Sequence, residues 1–210
     1  MNTAIFACRH GETEWNLIEK QQGHLNSPLT SKGVLQAQLL ADGLIDRHID
    51  ILFSSDLGRA LQTAEIIAKK LSLEIYADRR IRERHLGIMQ GLTRREFADR
   101  YPDEALRFDS GDPDYVLPGG ESARQLFDRC INCAEDLAVC YPGKNVLIVG
   151  HGGVLSSFFR KSIDAPLGGP RRFSLFNASI NSFGISNGQW RLDTWGEVAH
   201  LKDLNSLDDN

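Results

Sequence analysis

The sequence predicts an α/β fold: a three-layer α/β/α arrangement with a mostly parallel sheet, an antiparallel edge hairpin and an insertion over one edge of the sheet. Short apolar runs, typical of buried strands, alternate with longer segments whose apolar residues recur at helical spacing. This alternation favours parallel pairing, because each helix carries the chain back to the start of the next strand. Near the carboxyl terminus, Asn187-Gly188 separates two strand-like runs and is a strong hairpin signal.

The first half of the chain contains three predicted strands and two predicted helices. The apolar run at residues 4–8 predicts the first strand. A helix is predicted after Thr30, and its apolar stripe comprises Val34, Ala37, Leu40, Ala41 and Leu44. Residues 49–53 predict the second strand. A second amphipathic helix at residues 57–71 has Ser55 or Asp56 as its expected N-cap, and residues 73–76 predict a short third strand.

The second half begins with an irregular segment and then becomes regular again. Residues 79–120 are rich in arginine, proline, glycine and aspartate, with one predicted helix at 93–101, and we interpret residues 86–120 as a cap-like insertion over the active-site edge. A long helix at about 121–140, a buried strand at 145–149 and a helix at 153–160 follow. Strands at 182–186 and 189–195 then flank the hairpin turn.

Composition excludes several classes of protein. With 210 residues, 41% of them hydrophobic, the chain is long enough for a substantial core. Its net charge of -4 gives no broad positive surface, so we expect neither a nucleic-acid nor a membrane partner. No apolar run approaches the roughly 20 residues of a membrane span, and the amino terminus lacks the pattern of a signal peptide. A cytoplasmic location is therefore expected.

Two cysteines have a spacing that is compatible with metal or redox chemistry, namely Cys130 and Cys133. They also belong to an apolar helical stripe with Leu126, Leu137 and Cys140. Because a free cysteine packs like a small hydrophobic residue, we expect buried, reduced thiols here. Four histidines form no convincing metal-ligand spacing and are expected to be structural or exposed; they are His24, His48, His85 and His200.

Two segments share a local pattern, an apolar strand that ends in His-Gly. These segments end in Arg9-His10-Gly11-Glu12 and in Gly150-His151-Gly152-Gly153. The carboxyl ends of strands form the ligand-binding edge of open α/β sheets, so we expect both imidazoles at one crevice. Arg59, off the apolar stripe of its helix, is compatible with a surface position or with this same edge. An arginine fork and a neutral imidazole suit the binding and attack of a phosphoryl group.

Six blocks of residues follow one another in a characteristic order. They are Arg9-His10-Gly11-Glu12-Thr13-Glu14-Trp15-Asn16, Gln22-Gly23, Ser27-Pro28-Leu29-Thr30, Arg59-Ala60-Leu61-Gln62-Thr63-Ala64, Glu83 with Gly87 and Gly91, and Gly150-His151-Gly152-Gly153. Together they resemble the histidine phosphatase superfamily, the phosphoglycerate mutase-like group. The match runs from residue 3 to about 200, so residues 1–210 are interpreted as a single domain of this family. The chain is most similar to the small broad-specificity phosphatases.

The resemblance implies a phosphomonoesterase that hydrolyses a small phosphate monoester through a phosphohistidine on His10, with no metal and no cofactor. The family pattern assigns Arg9, Arg59 and His151 to neutralising the phosphate oxygens. Glu83 would protonate the leaving oxygen and then activate water. Without the family pattern, Glu83 is better explained by a surface ion pair with Arg82 or Arg84.

Four further residues are assigned to phosphate binding. Asn16 and Gln22 would supply neutral donors, and Gly23 and Gly152 would permit close approach of the backbone. The partner is thus a small-molecule phosphate monoester. The oligomeric state stays open, with a homodimer as one alternative.

A cofactor-dependent phosphoglycerate mutase is the main alternative, because Glu83-Arg84-His85-Leu86-Gly87 resembles mutases. Such mutases carry a longer insertion, rich in basic and aromatic residues, at the place where this chain has residues 92–118. The shorter segment favours the phosphatase. A catalytically inactive phosphate-binding protein is more remote, since His10 and Glu83 are both present. No P-loop motif occurs.

Two positions depart from the usual family pattern. Ile88-Met89-Gln90 stands where many relatives have a tryptophan, so we expect a softer pocket wall. Gly150 stands where relatives often have serine or threonine, and a hydroxyl that would orient His151 is therefore missing. We expect the segment at 86–120 to determine the substrate.

Overall fold

A computed structural model describes residues 2–169, 171–202 and 204 of the chain. Within this part, six strands form one mixed sheet and seven α-helices accompany it. The strands are β1 (Thr3–Arg9), β2 (Ile51–Ser54), β3 (Ile75–Ala77), β4 (Asn145–Gly150), β5 (Ile180–Ser186) and β6 (Gln189–Glu197). The helices are α1 (Glu14–Leu17), α2 (Ser31–Gly43), α3 (Gly58–Leu71), α4 (Arg94–Arg100), α5 (Pro102–Asp109), α6 (Ala123–Cys140) and α7 (Gly152–Ser162).

The strand order is β3-β2-β4-β1-β5-β6, and it confirms the predicted fold class. The first four strands in this order are parallel, whereas β5 and β6 pair antiparallel at one edge. Arg9 of β1 is in register with Gly150 of β4, and Ser54 of β2 is in register with Val149. Three neighbouring strands therefore end at one edge of the sheet, and the loops that carry His10, Ser55 and His151 all start there.

The sheet is covered on both faces, which gives the three-layer arrangement. Alternate residues of β4 point to opposite sides: Val146 and Ile148 belong to one buried cluster with residues of α6 and α7. Leu147 and Val149 belong to a second cluster with residues of α2 and α3. Successive side chains of β4 point to opposite faces of the sheet, and both faces are buried. For this reason β4 appears in the sequence as a continuous apolar run.

Residues 86–117 form a third, smaller apolar cluster, which comprises Leu86, Met89, Phe97, Ala105 and Leu117. The predicted helix at 93–101 is observed as α4 with Thr93 as its N-cap. The sequence did not predict α5, whose short length gives little periodic signal. This segment therefore has a core of its own, at the place where the insertion is expected.

Two details of the sequence prediction are wrong. The N-cap of α3 is Leu57 without a side-chain hydrogen bond, instead of Ser55 or Asp56, because both polar side chains bind elsewhere. Cys140 is exposed, although Cys130 and Cys133 are buried as expected, because α6 turns its last residue away from the core. All four cysteines are free thiols. No helix in the described part of the chain is long and apolar enough to cross a bilayer.

The hairpin and the first loop both depend on glycine. Asn187 and Gly188 have φ values of 50° and 72°, as the predicted two-residue turn requires.

Gly33, in the first turn of α2, packs directly on the backbone that follows His10: a Cβ there would lie 2.0 Å from the carbonyl oxygen of Glu12. A Cβ on Gly11 would lie 2.4 Å from the carbonyl oxygen of Gly33. Backbone packed on backbone thus fixes the loop that carries His10.

Replacing Gly33 by alanine should destabilise the fold, although alanine normally favours a helix over glycine. The added Cβ would force backbone apart, and we expect the free energy of unfolding to fall by about 1–3 kcal/mol. Urea denaturation measures this, with Gln38→Ala on the exposed side of α2 as the control, for which little change is expected. A Gly33→Ala variant as stable as the wild type would contradict the close packing.

Candidate active site

His10 follows β1 and is almost completely buried. Its backbone N–H donates to the carbonyl of Gly150 at 3.0 Å, which joins the ends of β1 and β4. Its Nδ1 lies 2.8 Å from the carbonyl oxygen of Gly11, and its Nε2 lies 3.2 Å from Nε of Arg59. A carbonyl can only accept and a guanidinium can only donate. The contacts therefore assign the proton to Nδ1 and leave a lone pair on Nε2.

Arg59 is 1% exposed, so the alternative of a surface arginine is wrong. Its Nη1 donates to the carbonyl of Leu25 and its Nη2 to the carbonyl of Gly23, both at 2.9 Å. Burial lowers the pKa of this guanidinium to about 10, opposed by the charge of Glu83. Arg59 therefore remains a cation at neutral pH and is held in one orientation beside His10.

Arg9 and His151 complete the buried group around His10. Arg9 is 5% exposed and donates to the carbonyl of Leu175. His151 is fully buried, its ring centroid lies 5.3 Å from that of His10, and its Nε2 lies 2.8 Å from Oγ of Ser55. The two strand-end histidines thus meet as predicted. Ser55 provides the hydroxyl contact that Gly150 does not.

Both imidazoles are held in the neutral state. Burial lowers the pKa of His10 well below its usual range, and the charges of Arg59 and Arg9 lower it further. Burial likewise lowers the pKa of His151, with Arg59 and His10 as the next causes. A neutral imidazole beside two cations is the form that can attack an electrophile.

Glu83 points its carboxylate toward the amino-terminal end of α7. Its Oε2 accepts from the backbone N–H of Gly153 at 3.1 Å, and its Oε1 accepts from that of Arg84 at 2.7 Å. The alternative of an ion pair with Arg82 or Arg84 is wrong, because Arg82 pairs with Asp56 and Arg84 donates to backbone carbonyls.

The loop that carries Glu83 is fixed by a residue that sequence reasoning missed. Arg129 of α6 donates to the carbonyls of Arg80, Arg82 and Glu83, at 2.9, 2.7 and 2.8 Å. Its guanidinium also pairs with Glu121. In the sequence, Arg129 is indistinguishable from a solvated arginine on an amphipathic helix, because its partners are backbone atoms of a distant loop.

Gly153 was also missed, because the sequence predicts close approach of the backbone at Gly152 instead. A Cβ on Gly152 would make only ordinary contacts, the nearest at 3.6 Å. A Cβ on Gly153 would lie 2.2 Å from Oε1 of Glu83 and 2.8 Å from Leu126. Gly153 is thus the glycine whose missing side chain leaves room for the carboxylate of Glu83. The Gly152-Gly153 pair after His151 contained both candidates, and the sequence did not distinguish them.

The expected neutral donors are linked through Thr13. Nε2 of Gln22 donates to Oγ1 of Thr13 at 2.8 Å, and the Thr13 hydroxyl donates to Oδ1 of Asn16 at 2.9 Å. Gly23 has a φ of 52°, in the left-handed region that favours glycine, and its carbonyl binds Arg59. Asn16, Gln22 and Gly23 all lie on the wall of the cavity described next.

A cavity of about 810 Å³ opens at this edge of the sheet. Its wall includes eight of the nine site residues predicted from sequence, namely Arg9, His10, Asn16, Gln22, Gly23, Arg59, Glu83 and Gly152. His151 is not part of the wall and instead contacts the ring of His10.

Met89 is buried in the cluster of residues 86–117, so the expectation that it softens the pocket wall is wrong. His24 and His85 are not part of the wall either, but His24 binds the carbonyl of Glu83.

Within the described residues, no group of three or more His, Cys, Asp and Glu side chains is arranged to hold a metal ion. The charged groups that act on His10 are the guanidinium groups of Arg59 and Arg9. What the arrangement offers is a neutral, oriented imidazole with two buried arginines at one end of the cavity and a carboxylate on its wall.

Several known proteins are similar to this chain in sequence and in structure. A family profile described as "Histidine phosphatase superfamily (branch 1)" matches residues 5–198. The chain is 39% identical over 207 residues to "Phosphoglycerate mutase-like protein 4" of Arabidopsis thaliana, and the alignment covers 97% of this chain and 89% of that protein. It is 37% identical over 209 residues to "Metal-independent phosphoserine phosphatase" of the same plant, with coverage of 98% and 86%. Among solved structures, "Bacillus stearothermophilus YhfR" superposes with a TM-score of 0.86 at 32% identity, covering 95% of this chain and 99% of that one.

Acid titration should leave His10 and His151 neutral at pH values where an ordinary histidine, with a pKa of about 6.5, is protonated. Their lowered pKa values also mean that the unfolded chain binds more protons, so stability should fall as the pH drops below about 6.5. Long-range ¹⁵N–¹H spectra of histidine-labelled protein measure both ring nitrogens. The same protein in denaturant is the control, and protonation of folded His10 near pH 6.5 would contradict the geometry.

Proposed function

Because this chain belongs to the histidine phosphatase superfamily, we propose that it is a metal-independent phosphomonoesterase acting on a small phosphate monoester. The observation that carries the proposal is the lone pair on Nε2 of a buried, neutral His10, set between the cations of Arg59 and Arg9. Phosphatase activity fits the relatives, one of which is named a metal-independent phosphoserine phosphatase. The class of ester and the order of steps are our proposals.

In the first step, the phosphoryl group displaces the Nε–H of Arg59 from Nε2 of His10, Nε2 attacks the phosphorus atom, and the bond to the ester oxygen breaks. Glu83, in its protonated form, gives its proton to the departing oxygen, so that an alcohol leaves. Negative charge spreads over the three equatorial oxygens, and the fixed cations of Arg9 and Arg59 stabilise it without reorganisation. The amide groups of Asn16 and Gln22 donate to the transferring phosphoryl group from the cavity wall. His151, whose Nδ1 has no hydrogen-bond partner among the described residues, donates to it from beside the His10 ring.

Formation of the phosphohistidine places a positive charge on the imidazole ring. The carbonyl of Gly11 accepts the Nδ1 proton and so stabilises that charge. In the second step, the Glu83 carboxylate takes a proton from water, and the resulting nucleophile attacks the phosphorus atom. Inorganic phosphate leaves, His10 returns to its neutral form and Glu83 is protonated again.

A cofactor-dependent phosphoglycerate mutase remains the second candidate, because one relative is named mutase-like. It shares the first step and differs in the acceptor, since the phosphoryl group passes from His10 to a substrate hydroxyl instead of water. We favour the hydrolase because the segment at 86–117, with its two short helices, leaves an open cavity of about 810 Å³ that water can enter.

Release of inorganic phosphate from a panel of monoesters tests the proposed function. We expect turnover that excess chelator does not reduce, with isomerisation of 3-phosphoglycerate slower than its hydrolysis. His10→Ala should lose all detectable turnover, since the phosphoryl acceptor is removed, while its circular dichroism stays unchanged. Full activity in His10→Ala or loss of activity with chelator would contradict the mechanism, and dominant isomerisation would favour the mutase.

Glu83→Gln separates the two proposed uses of the carboxylate. Hydrolysis of an alkyl phosphate needs a proton on the leaving oxygen, so its kcat should fall by roughly 10²–10⁴-fold. With p-nitrophenyl phosphate the leaving group departs without a proton, and only the attack of water is slowed. A rapid burst of p-nitrophenolate followed by slow turnover is therefore expected in stopped-flow measurements. Glu65→Gln, exposed on α3, is the control, and equal slowing of both substrates without a burst would refute this assignment.

A further inference from the structure

His24 does not line the active-site cavity, but it lies between the segments that orient Arg59 and Glu83. The carbonyl groups of its two neighbours in the chain, Gly23 and Leu25, accept from Nη2 and Nη1 of Arg59, both at 2.9 Å. Its own Nε2 lies 2.8 Å from the carbonyl oxygen of Glu83. One residue therefore joins the segment that holds the buried arginine to the loop that carries the carboxylate.

The contact with the carbonyl of Glu83 fixes the tautomer of His24. A carbonyl oxygen can only accept, so Nε2 of His24 carries the proton and donates it. The same oxygen accepts from Nη2 of Arg129 at 2.8 Å. The two donors come from different elements: Arg129 joins the Glu83 loop to α6, whereas His24 joins it to the segment between α1 and α2 that holds Arg59.

The hydrogen bond from His24 acts on the Glu83 carboxylate through the backbone. The carbonyl of Glu83 and the N–H of Arg84 belong to one planar peptide group, so they turn together. That N–H donates to Oε1 of Glu83 at 2.7 Å. A donor that holds the carbonyl therefore also holds the N–H that orients the carboxylate, although His24 itself does not reach the cavity.

The ring of His24 is itself held in place. Its backbone N–H donates to Oε1 of Gln90 at 2.7 Å, and the imidazole of His85 packs edge-on against its ring, with centroids 4.6 Å apart. The preceding Gly23 packs so closely on Gln90 that a Cβ there would lie 2.2 Å from Oε1 of that side chain. An imidazole fixed in this way keeps a constant distance between the two segments that it joins.

We propose that His24 is a positioning residue, whose Nε2–H sets the direction of the Glu83 carboxylate relative to His10 and Arg59. This inference rests on the proposed function of the cavity. Without this hydrogen bond the peptide group of Glu83 gains freedom to rotate, while Arg129 still holds the loop to α6. Backbone carbonyls hold Arg59, and they remain when the side chain of His24 is changed. The steps that use Glu83 therefore slow, and the attack by His10 does not.

His24→Leu removes the donor and keeps a side chain of similar bulk. We expect kcat for an alkyl phosphate to fall about 10–100-fold, the effect of a small displacement of a catalytic group, while inhibition by inorganic phosphate stays unchanged. With p-nitrophenyl phosphate, a burst at the wild-type rate should precede slow turnover. His24→Gln, whose amide Nε2 can donate to the same carbonyl, should recover most of the rate. His48→Gln, exposed ahead of β2, is the control and should match the wild type.

A double-mutant cycle with Glu83→Gln separates positioning from a general loss of stability. If His24 acts through the carboxylate, adding His24→Leu to Glu83→Gln should slow turnover no further. Additive losses, a reduced burst of p-nitrophenolate or no recovery in His24→Gln would assign His24 to supporting the fold, and each would overturn the inference.

Binding of orthovanadate keeps the test independent of turnover. Vanadate bonded to a histidine is five-coordinate, and its outer axial oxygen takes the place of the leaving oxygen, where Glu83 acts. In calorimetry, His24→Leu should weaken vanadate binding about tenfold, the size of a hydrogen bond to a charged group, and leave phosphate binding unchanged. This result without any ester hydrolysis by the wild type would refute the proposed function and retain the positioning role. Equal kcat in the wild type and His24→Leu would refute the positioning role and retain the phosphatase.

Discussion

The contact between Arg59 and His10 is the constraint on which the rest of this structure depends. A guanidinium that is 1% exposed lies beside an equally buried imidazole, with no carboxylate in ion-pair contact among the described residues. Such a charge is tolerated only where its donors are satisfied, and the carbonyls of Gly23 and Leu25 satisfy them. Burial favours the neutral form of the His10 ring, and the arginine adds to this effect, because a second positive charge 3.2 Å away would be repelled. An anionic ligand adds the counter-charge that Glu83 supplies only in part, so the same charge of Arg59 favours both the binding of an anion and the neutral, reactive form of His10.

Other parts of the fold serve to keep this contact in place. Thr63, one turn along α3 from Arg59, donates to its carbonyl and accepts from the backbone N–H of Gly11, next to His10. Asn177 donates to the carbonyl of His10 from the segment before β5. The pairing of β1 with β4 brings His151 alongside. Hydrogen bonds to backbone atoms on several sides thus fix the ring with little freedom.

The part of the site that lies at the ends of strands could be predicted from the sequence. Residues 4–8 and 145–149 are apolar enough to be recognised as buried strands, and parallel pairing then requires His10 and His151 to meet. The family pattern added Arg59 and Glu83, whose sequence context is ambiguous. Ser55, Gly153 and Arg129 were missed, since each acts through contacts with atoms of a remote segment. Such contacts depend on loop geometry, and no periodicity or composition encodes them.

The central claim is that His10 takes the phosphoryl group before water does, and the stereochemical course at phosphorus tests it most directly. Two successive in-line displacements each invert the phosphorus centre, so the product retains its configuration. Hydrolysis of a phosphorothioate monoester made chiral with ¹⁶O and ¹⁸O, in water that supplies ¹⁷O, should therefore give inorganic thiophosphate with net retention. Net inversion would mean that water attacks the ester directly, and it would contradict the account of His10 as the acceptor.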